Sequence, residues 1–160
     1  MTWNRLKGNK AAFSLRLYPP LWFLIFTVSA FTLALLLPIS FGLSLLAKPL
    51  AVVSASSGGL LALWAVILFK QHQTTAHPYS DASRLVTHGP FNHTRNPMYL
   101  GLLLVLIAIG LWLQSFSALL LAPLFVFVIN RCNILPEEQK LLQTFGDEYR
   151  EYHARTRRWF

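Results

Sequence analysis

Residues Leu85–Gly101 read LVTHGPFNHTRNPMYLG. The stretch is polar, lies between two apolar runs, and holds two of the five histidines, one arginine, a Gly-Pro turn and an Asn-Pro pair. Gly89-Pro90 marks a turn, and a glycine there lets a ligand approach the backbone. Asn96 is a good N-cap, and Pro97 suits the first helical position, where its missing N–H costs nothing. The pattern therefore predicts a helix that starts at Asn96–Pro97 and runs directly into the apolar run behind it. The free N–H groups and positive dipole end of such a start favour a carboxylate or a phosphate. Arg95 adjoins it and could take a carboxylate through its planar fork; the competing reading is a headgroup anchor.

Composition decides the setting of this stretch. The chain has 160 residues, 54% hydrophobic and 12% charged, with mean hydropathy +0.46 and net charge +8. Long apolar runs with few charges exclude an ordinary soluble domain, and with it a soluble nucleic-acid binder. The basic balance points instead to anionic lipid. Cys132 is the lone cysteine, which excludes an internal disulfide and a multi-cysteine metal site. His72 and His77 have no further ligands nearby in sequence, so no metal is expected.

Outward from the key stretch, the chain divides into one membrane domain with about four spans. Residues 1–17 are a basic lead-in. Leu21–Leu37 is the first apolar run, read as a retained helix rather than a signal peptide. Pro38–Pro49 is a connection, and Leu50–Phe69 the second span, whose Ser54, Ser56, Ser57, Gly58 and Gly59 suit close helix packing. Residues 70–97 form a polar loop. Met98–Leu113 and Phe116–Ile129 are a helical hairpin turned at Gln114-Ser115, short for spans. From Pro136 a tail follows in which Leu141, Leu142, Phe145, Tyr149 and Tyr152 share one helical face, with an interruption at Gly146. Its end, Arg155 to Phe160, is basic and aromatic, suited to headgroups. The expected fold is thus all-α: a membrane bundle with an amphipathic C-terminal helix.

With four spans, every Lys and Arg except Lys48 falls on the side of both termini and the long loop. The positive-inside rule makes that side cytoplasmic, in the inner membrane if the source is bacterial. The hairpin then brings Glu137-Glu138 beside the key stretch.

Gly89-Pro90-Phe91, Arg95-Asn96-Pro97-Met98-Tyr99-Leu100-Gly101, Glu137-Glu138, Leu141-Leu142, Phe145-Gly146, Tyr149 and Tyr152, in this order around a hairpin, resemble the isoprenylcysteine carboxyl methyltransferase and phospholipid methyltransferase superfamily. The resemblance covers roughly the C-terminal half. It implies a membrane enzyme that uses S-adenosylmethionine, yields S-adenosylhomocysteine, and holds the cofactor in a cytosolic pocket closed by the C-terminal helix. The family's Arg-His-Pro-x-Tyr pattern maps onto Arg95, Asn96, Pro97 and Tyr99, with Asn96 in place of histidine; its Glu pair maps onto Glu137 and Glu138. Phe91 stands where tyrosine is common.

The residues themselves suit this ligand. Arg95 and the helix start suit its carboxylate. Glu137 or Glu138 suits its ammonium, with Glu138 preferred, although acids at a helix start also simply compensate the dipole. Phe91 and Tyr99 offer ring faces to adenine or to a sulfonium. Leu85, Val86, His88 and Gly89 complete the expected cofactor wall. Arg95, Glu138 and His93 are the candidate catalytic residues, with His93 and His88 the possible bases should the acceptor be an amine. The acceptor is expected to be lipidic or hydrophobic. A non-enzymatic membrane protein is the rival reading; against it, no apolar run carries an ionisable residue in its middle.

Overall fold

Proline marks the start of three of the long helices in this chain. The computed structural model describes residues 18–42, 44–71 and 84–160. Helix α1 (Pro19–Leu36) opens on two prolines, whose missing N–H groups would be unpaired there in any case. Helix α2 spans Ser44–Gln71 and α3 spans Pro97–Trp112. After a turn come a short α4 (Phe116–Leu119) and α5 (Leu121–Ile129), then one π-helical turn at Asn130–Ile134. Helix α6 (Leu135–Arg155) continues from it without a loop, with Pro136 in its first turn. The described residues hold no strand, only two isolated bridges. The all-α bundle expected from the apolar runs is what forms.

Three helical stretches are long and apolar enough to cross a membrane: Pro19–Leu36, Leu45–Gln71 and the continuous Phe116–Arg155. Helix α3 is equally apolar but has 16 residues, about 24 Å at 1.5 Å per residue. The apolar part of the long continuous stretch is its first half; from Glu137 onward charges return. The outward faces of α1 and α2 expose large apolar side chains, Leu35 and Leu45 among them, as a lipid-facing surface requires.

Two boundaries differ from the sequence reading. The second helix begins at Ser44, not after Pro49, and Pro49 lies inside it. A proline six residues into a helix removes only the hydrogen bond back to the first turn, so helix can form ahead of it. The polar-looking Pro38–Pro49 connection accordingly shrinks. The tail is also not a separate element: the π turn passes the chain from α5 into α6, and a local extra residue per turn lets the helix shift phase without a break. The interruption at Gly146 is present as a kink, with φ +54°. The basic lead-in 1–17 and loop residues 72–83, with His72 and His77, lie outside the described residues.

Helices α2 and α3 approach most closely at two glycines. A Cβ on Gly58 would lie 2.6 Å from the Gly101 carbonyl oxygen, and one on Gly101 2.5 Å from the Gly58 oxygen. The Ser54 hydroxyl donates to the Leu104 oxygen at 2.8 Å across the same crossing. This is the small-residue packing expected of Ser54 to Gly59, because lipid gives apolar helices no hydrophobic reason to associate and close contact must do so. On the other side, Phe26 of α1 meets Phe125 of α5 edge-on at 5.3 Å, in a core with Leu103, Leu106 and Ile129. The helices therefore run alternately up and down. The start of α1, the end of α2, the start of α3 and the start of α6 gather at one end.

Candidate active site

Gly89 takes φ +64° and opens a single 3-10 turn, Gly89–Asn92, that redirects the chain toward α3. A side chain there would strike Leu68, 2.8 Å from the built Cβ, so glycine is needed for packing on α2 as well as for the turn. Phe91 from this turn is buried and meets Phe69 edge-on at 5.1 Å. Asn96 does precede α3, yet its side chain does not cap the helix. Instead Asn96 Nδ2 donates to the Arg158 carbonyl oxygen at 3.0 Å.

A cavity of about 380 Å³ opens at this end, within the usual range for small-molecule sites, about 300–1,000 Å³. Leu85, Val86, Phe91, Arg95, Asn96, Pro97, Tyr99, Glu137 and Glu138 all line it, so the structure gathers most of the sequence-derived candidates. Residues distant in sequence join them: Pro19 and Pro20 from α1, Ala62, Leu63, Val66 and Phe69 from α2, and Leu141, Thr144, Tyr149 and Tyr152 from α6. Three candidates are elsewhere. Gly89 packs on α2, and His88 and His93 are exposed and outside the lining.

The two adjacent glutamates differ. Glu138 is held in a charged triad. Arg95 Nη2 and Nε donate to its Oε1 at 2.8 and 3.3 Å, and Arg158 Nε and Nη2 donate to Oε1 and Oε2 at 3.0 and 2.5 Å. Burial works to raise the Glu138 carboxyl, but the hydrogen bonds from Arg158 and Arg95 win and hold it below the usual carboxylate range. Glu137 stands outside that triad. Its Oε1 accepts the Tyr99 hydroxyl at 2.7 Å. Burial among apolar side chains pushes it up to about 7, against the Tyr99 hydrogen bond and with a smaller push from Glu138.

Arg95, 7% exposed at its side chain, is committed within the protein. Beyond Glu138 it donates from Nη1 to the carbonyl oxygens of His153, at 3.2 Å, and Thr156. Of the face expected in the tail, Leu141, Phe145, Tyr149 and Tyr152 pack onto the site beside Phe91 and Val86, whereas Leu142 turns outward and is 40% exposed; the Tyr152 hydroxyl donates to the Phe91 oxygen at 2.9 Å. The end of the chain departs from the headgroup reading. Arg158 turns back to Glu138, and the Trp159 indole N–H donates to Asn130 Oδ1 at 3.1 Å. Nothing local in Arg155–Phe160 announces these partners, which lie 20 or more residues away.

Among known proteins, an uncharacterized protein of Haemophilus influenzae (strain ATCC 51907 / DSM 11121 / KW20 / Rd) is 50% identical over 62 residues, covering 39% of this chain and 98% of that protein. No solved structure matches the chain. The model of the phospholipid methyltransferase family matches residues 46–148, from the first turn of α2 to just past the Gly146 kink. That range takes in the glycine crossing, the key polar stretch, the hairpin and both glutamates, and it makes this chain a member of the phospholipid methyltransferase family.

Proposed function

We propose that the cavity at the start of α3 binds S-adenosylmethionine, and that the protein transfers its methyl group to a lipidic or hydrophobic acceptor at the cytoplasmic membrane face. The observation that carries this reading is Glu137: a carboxyl group inside a mostly apolar cavity, hydrogen-bonded to Tyr99 and standing outside the Arg95–Glu138–Arg158 triad beside it. Its chemistry fits an ammonium ligand.

The other lining groups fit as well. The first-turn N–H groups of α3, with the positive charge of the Arg95–Glu138–Arg158 triad behind them, suit a carboxylate. This assigns Arg95 to holding the helix start in place rather than to a direct fork on the ligand, because its donors are already engaged. Glu137 takes over the ammonium from Glu138, the residue preferred on sequence alone. Leu85, Val86 and Phe91 provide a flat apolar wall for adenine, and the Tyr99, Tyr149 and Tyr152 rings provide faces for a cation. His88 and His93 have no part in this chemistry, since both stand outside the lining.

Bound, the cofactor supplies an activated methyl group. The chain's contribution is alignment and exclusion of water, and positioning of this kind supplies ~7–11 kcal/mol. Leu63 and Val66 from the last third of α2 and Leu102 from the first half of α3 line the cavity with aliphatic surface, which suits an acceptor that arrives from lipid. The concentration of Lys and Arg at this end supports its facing the cytoplasm.

Calorimetry of the detergent-purified protein with S-adenosylhomocysteine tests the cofactor, and incubation of a lipid extract with a labelled methyl donor tests the acceptor. No heat of binding, with no label entering the lipid fraction, refutes the reading.

A further inference from the structure

Arg158 does not line the cavity, yet it fixes a residue that does. Its guanidinium is bidentate on Glu138, with Nε on Oε1 and Nη2 on Oε2. Arg95 reaches only Oε1, so the plane of the carboxylate is set from the Arg158 side. The backbone that carries Arg158 is tied on both flanks. The Arg95 N–H donates to the Arg157 oxygen at 2.9 Å, and the Thr94 hydroxyl and Asn96 Nδ2 both donate to the Arg158 oxygen at 3.0 Å. Trp159 anchors the far side at Asn130, in the π turn that opens α6. These last residues thus strap the start of α3 to the start of α6, and they lie beyond the range that the family model matches.

We propose that Arg158 is a positioning residue of the methyl-transfer site, acting through Glu138: it holds that carboxylate in place at the cavity wall while its strap keeps Arg95 and Asn96 at the start of α3. This rests on the reading that the cavity takes the methyl donor. Among the described residues, the charged and titratable groups facing Glu138 are Arg95 from the loop before α3, Arg158 from the strap, Glu137 beside it on α6 and Tyr149 from beyond the kink. Burial works against its ionisation; the two arginines secure it. Without Arg158, Oε2 loses its partner and Glu138 protonates at higher pH. A neutral Glu138 no longer holds Arg95 against the His153 and Thr156 carbonyls, and the two helix starts lose their tie.

The test is S-adenosylhomocysteine affinity against pH, by calorimetry on the full-length protein in detergent, for wild type, Arg158→Gln and Arg158→Lys. In the wild type the acid side of the profile follows one proton, that of Glu137. Arg158→Gln should bind at least about tenfold more weakly at neutral pH, the scale of a lost charge-assisted contact, and its acid side should steepen to two protons. Arg158→Lys returns a charge but not a fork, so it should restore the one-proton profile while affinity stays reduced. Should Arg158→Gln fail to fold, Arg158→Lys is compared with Trp159→Phe, which loosens the strap at Asn130 but keeps the fork on Glu138: a loss of affinity confined to Arg158→Lys supports the proposal, and equal losses in the two overturn it. Wild-type affinity in both variants overturns it. So does an equal loss in both with unchanged profiles, which marks a merely structural strap. Absence of binding by the wild type refutes the cofactor reading itself, and this inference falls with it.

Discussion

The two ends of the bundle are closed by different chemistry. At the far end the short Leu37–Gly42 connection meets the turn between α3 and α4. There the Phe116 N–H donates to the Ile39 oxygen at 2.8 Å and the Ser117 hydroxyl to the Leu37 oxygen at 2.7 Å. Every described partner in these closures is a neutral backbone or hydroxyl group. At the site end the closure is Arg95, Glu138 and Arg158, a charged triad with side chains 7%, 12% and 33% exposed. Neutral closures satisfy the backbone at little cost. A half-buried triad carries a large desolvation penalty and is weak as a stabiliser. Among the described residues such a triad stands at the cavity, while the far-end closures are neutral, so the charge is placed where the proposed ligand site lies.

That contrast gives a ranking of effects. Glu138→Gln should be the most disruptive of the changes considered, because it strands two guanidiniums. Breaking such an arrangement from one side costs ~3 kcal/mol or more, and thermal unfolding in detergent should show it plainly. Ser117→Ala at the far end removes neutral hydrogen bonds and should cost about 1 kcal/mol. Equal losses from the two would erase the distinction drawn between the ends.

Glu137→Gln separates the glutamates. It should leave the fold intact and weaken S-adenosylhomocysteine binding about tenfold or more, the scale of a lost charge-assisted contact. Its stability should also carry a pH signature. Glu137 is raised in the folded protein from 4.5 to about 7 by burial, so the folded state binds the extra proton. Its contribution is present below about 4.5 and lost as pH rises toward 7. The wild type should therefore lose stability across that window relative to Glu137→Gln, compared by unfolding at pH 5 and pH 8. A parallel pair of curves would contradict the burial of this carboxyl. Glu138 has the opposite sign: its depressed ionisation adds stability above the ordinary carboxylate range, lost on acidification.

The same two ends differ in how legible they were. Gln114-Ser115 predicted the hairpin turn because a break between two apolar runs is local information. Asn96-Pro97 likewise placed the α3 start correctly at Pro97. What the Asn96 side chain does there was not legible, since its partner is the backbone of Arg158, 62 residues on. The same holds for Arg158 and Trp159, which compositionally are an ordinary basic-aromatic end. Choosing between Glu137 and Glu138 was beyond the sequence for a related reason: adjacent residues on a helix face differently, and only the π turn, invisible in the residue pattern, sets their phase at the cavity. Pro49 misled in the other direction, because a proline near a helix start reads as a boundary and need not be one.

The smallest effect lies at the far end. Helix α3 ends with the Ser115 N–H on the Gly110 oxygen at 3.1 Å and the Gln114 N–H on the Leu111 oxygen at 3.1 Å. This paired pattern is a Schellman closure, which needs its hinge residue in the left-handed region, where glycine is the usual occupant. Here the residue is Gln114, with φ +50°, the one non-glycine with positive φ among the described residues. A Cβ in that conformation is strained, so Gln114→Gly relieves strain in the folded state, although the freer unfolded chain offsets part of the gain. The net expectation is stabilisation of about 0.5 kcal/mol, read as a small upward shift in the thermal midpoint. S-adenosylhomocysteine affinity and its pH profile should not move, because the turn lies at the opposite end of α3 from Tyr99 and the cavity. A change in affinity from this substitution would mean that the far closure and the site are coupled through α3, and that the two ends are not independent.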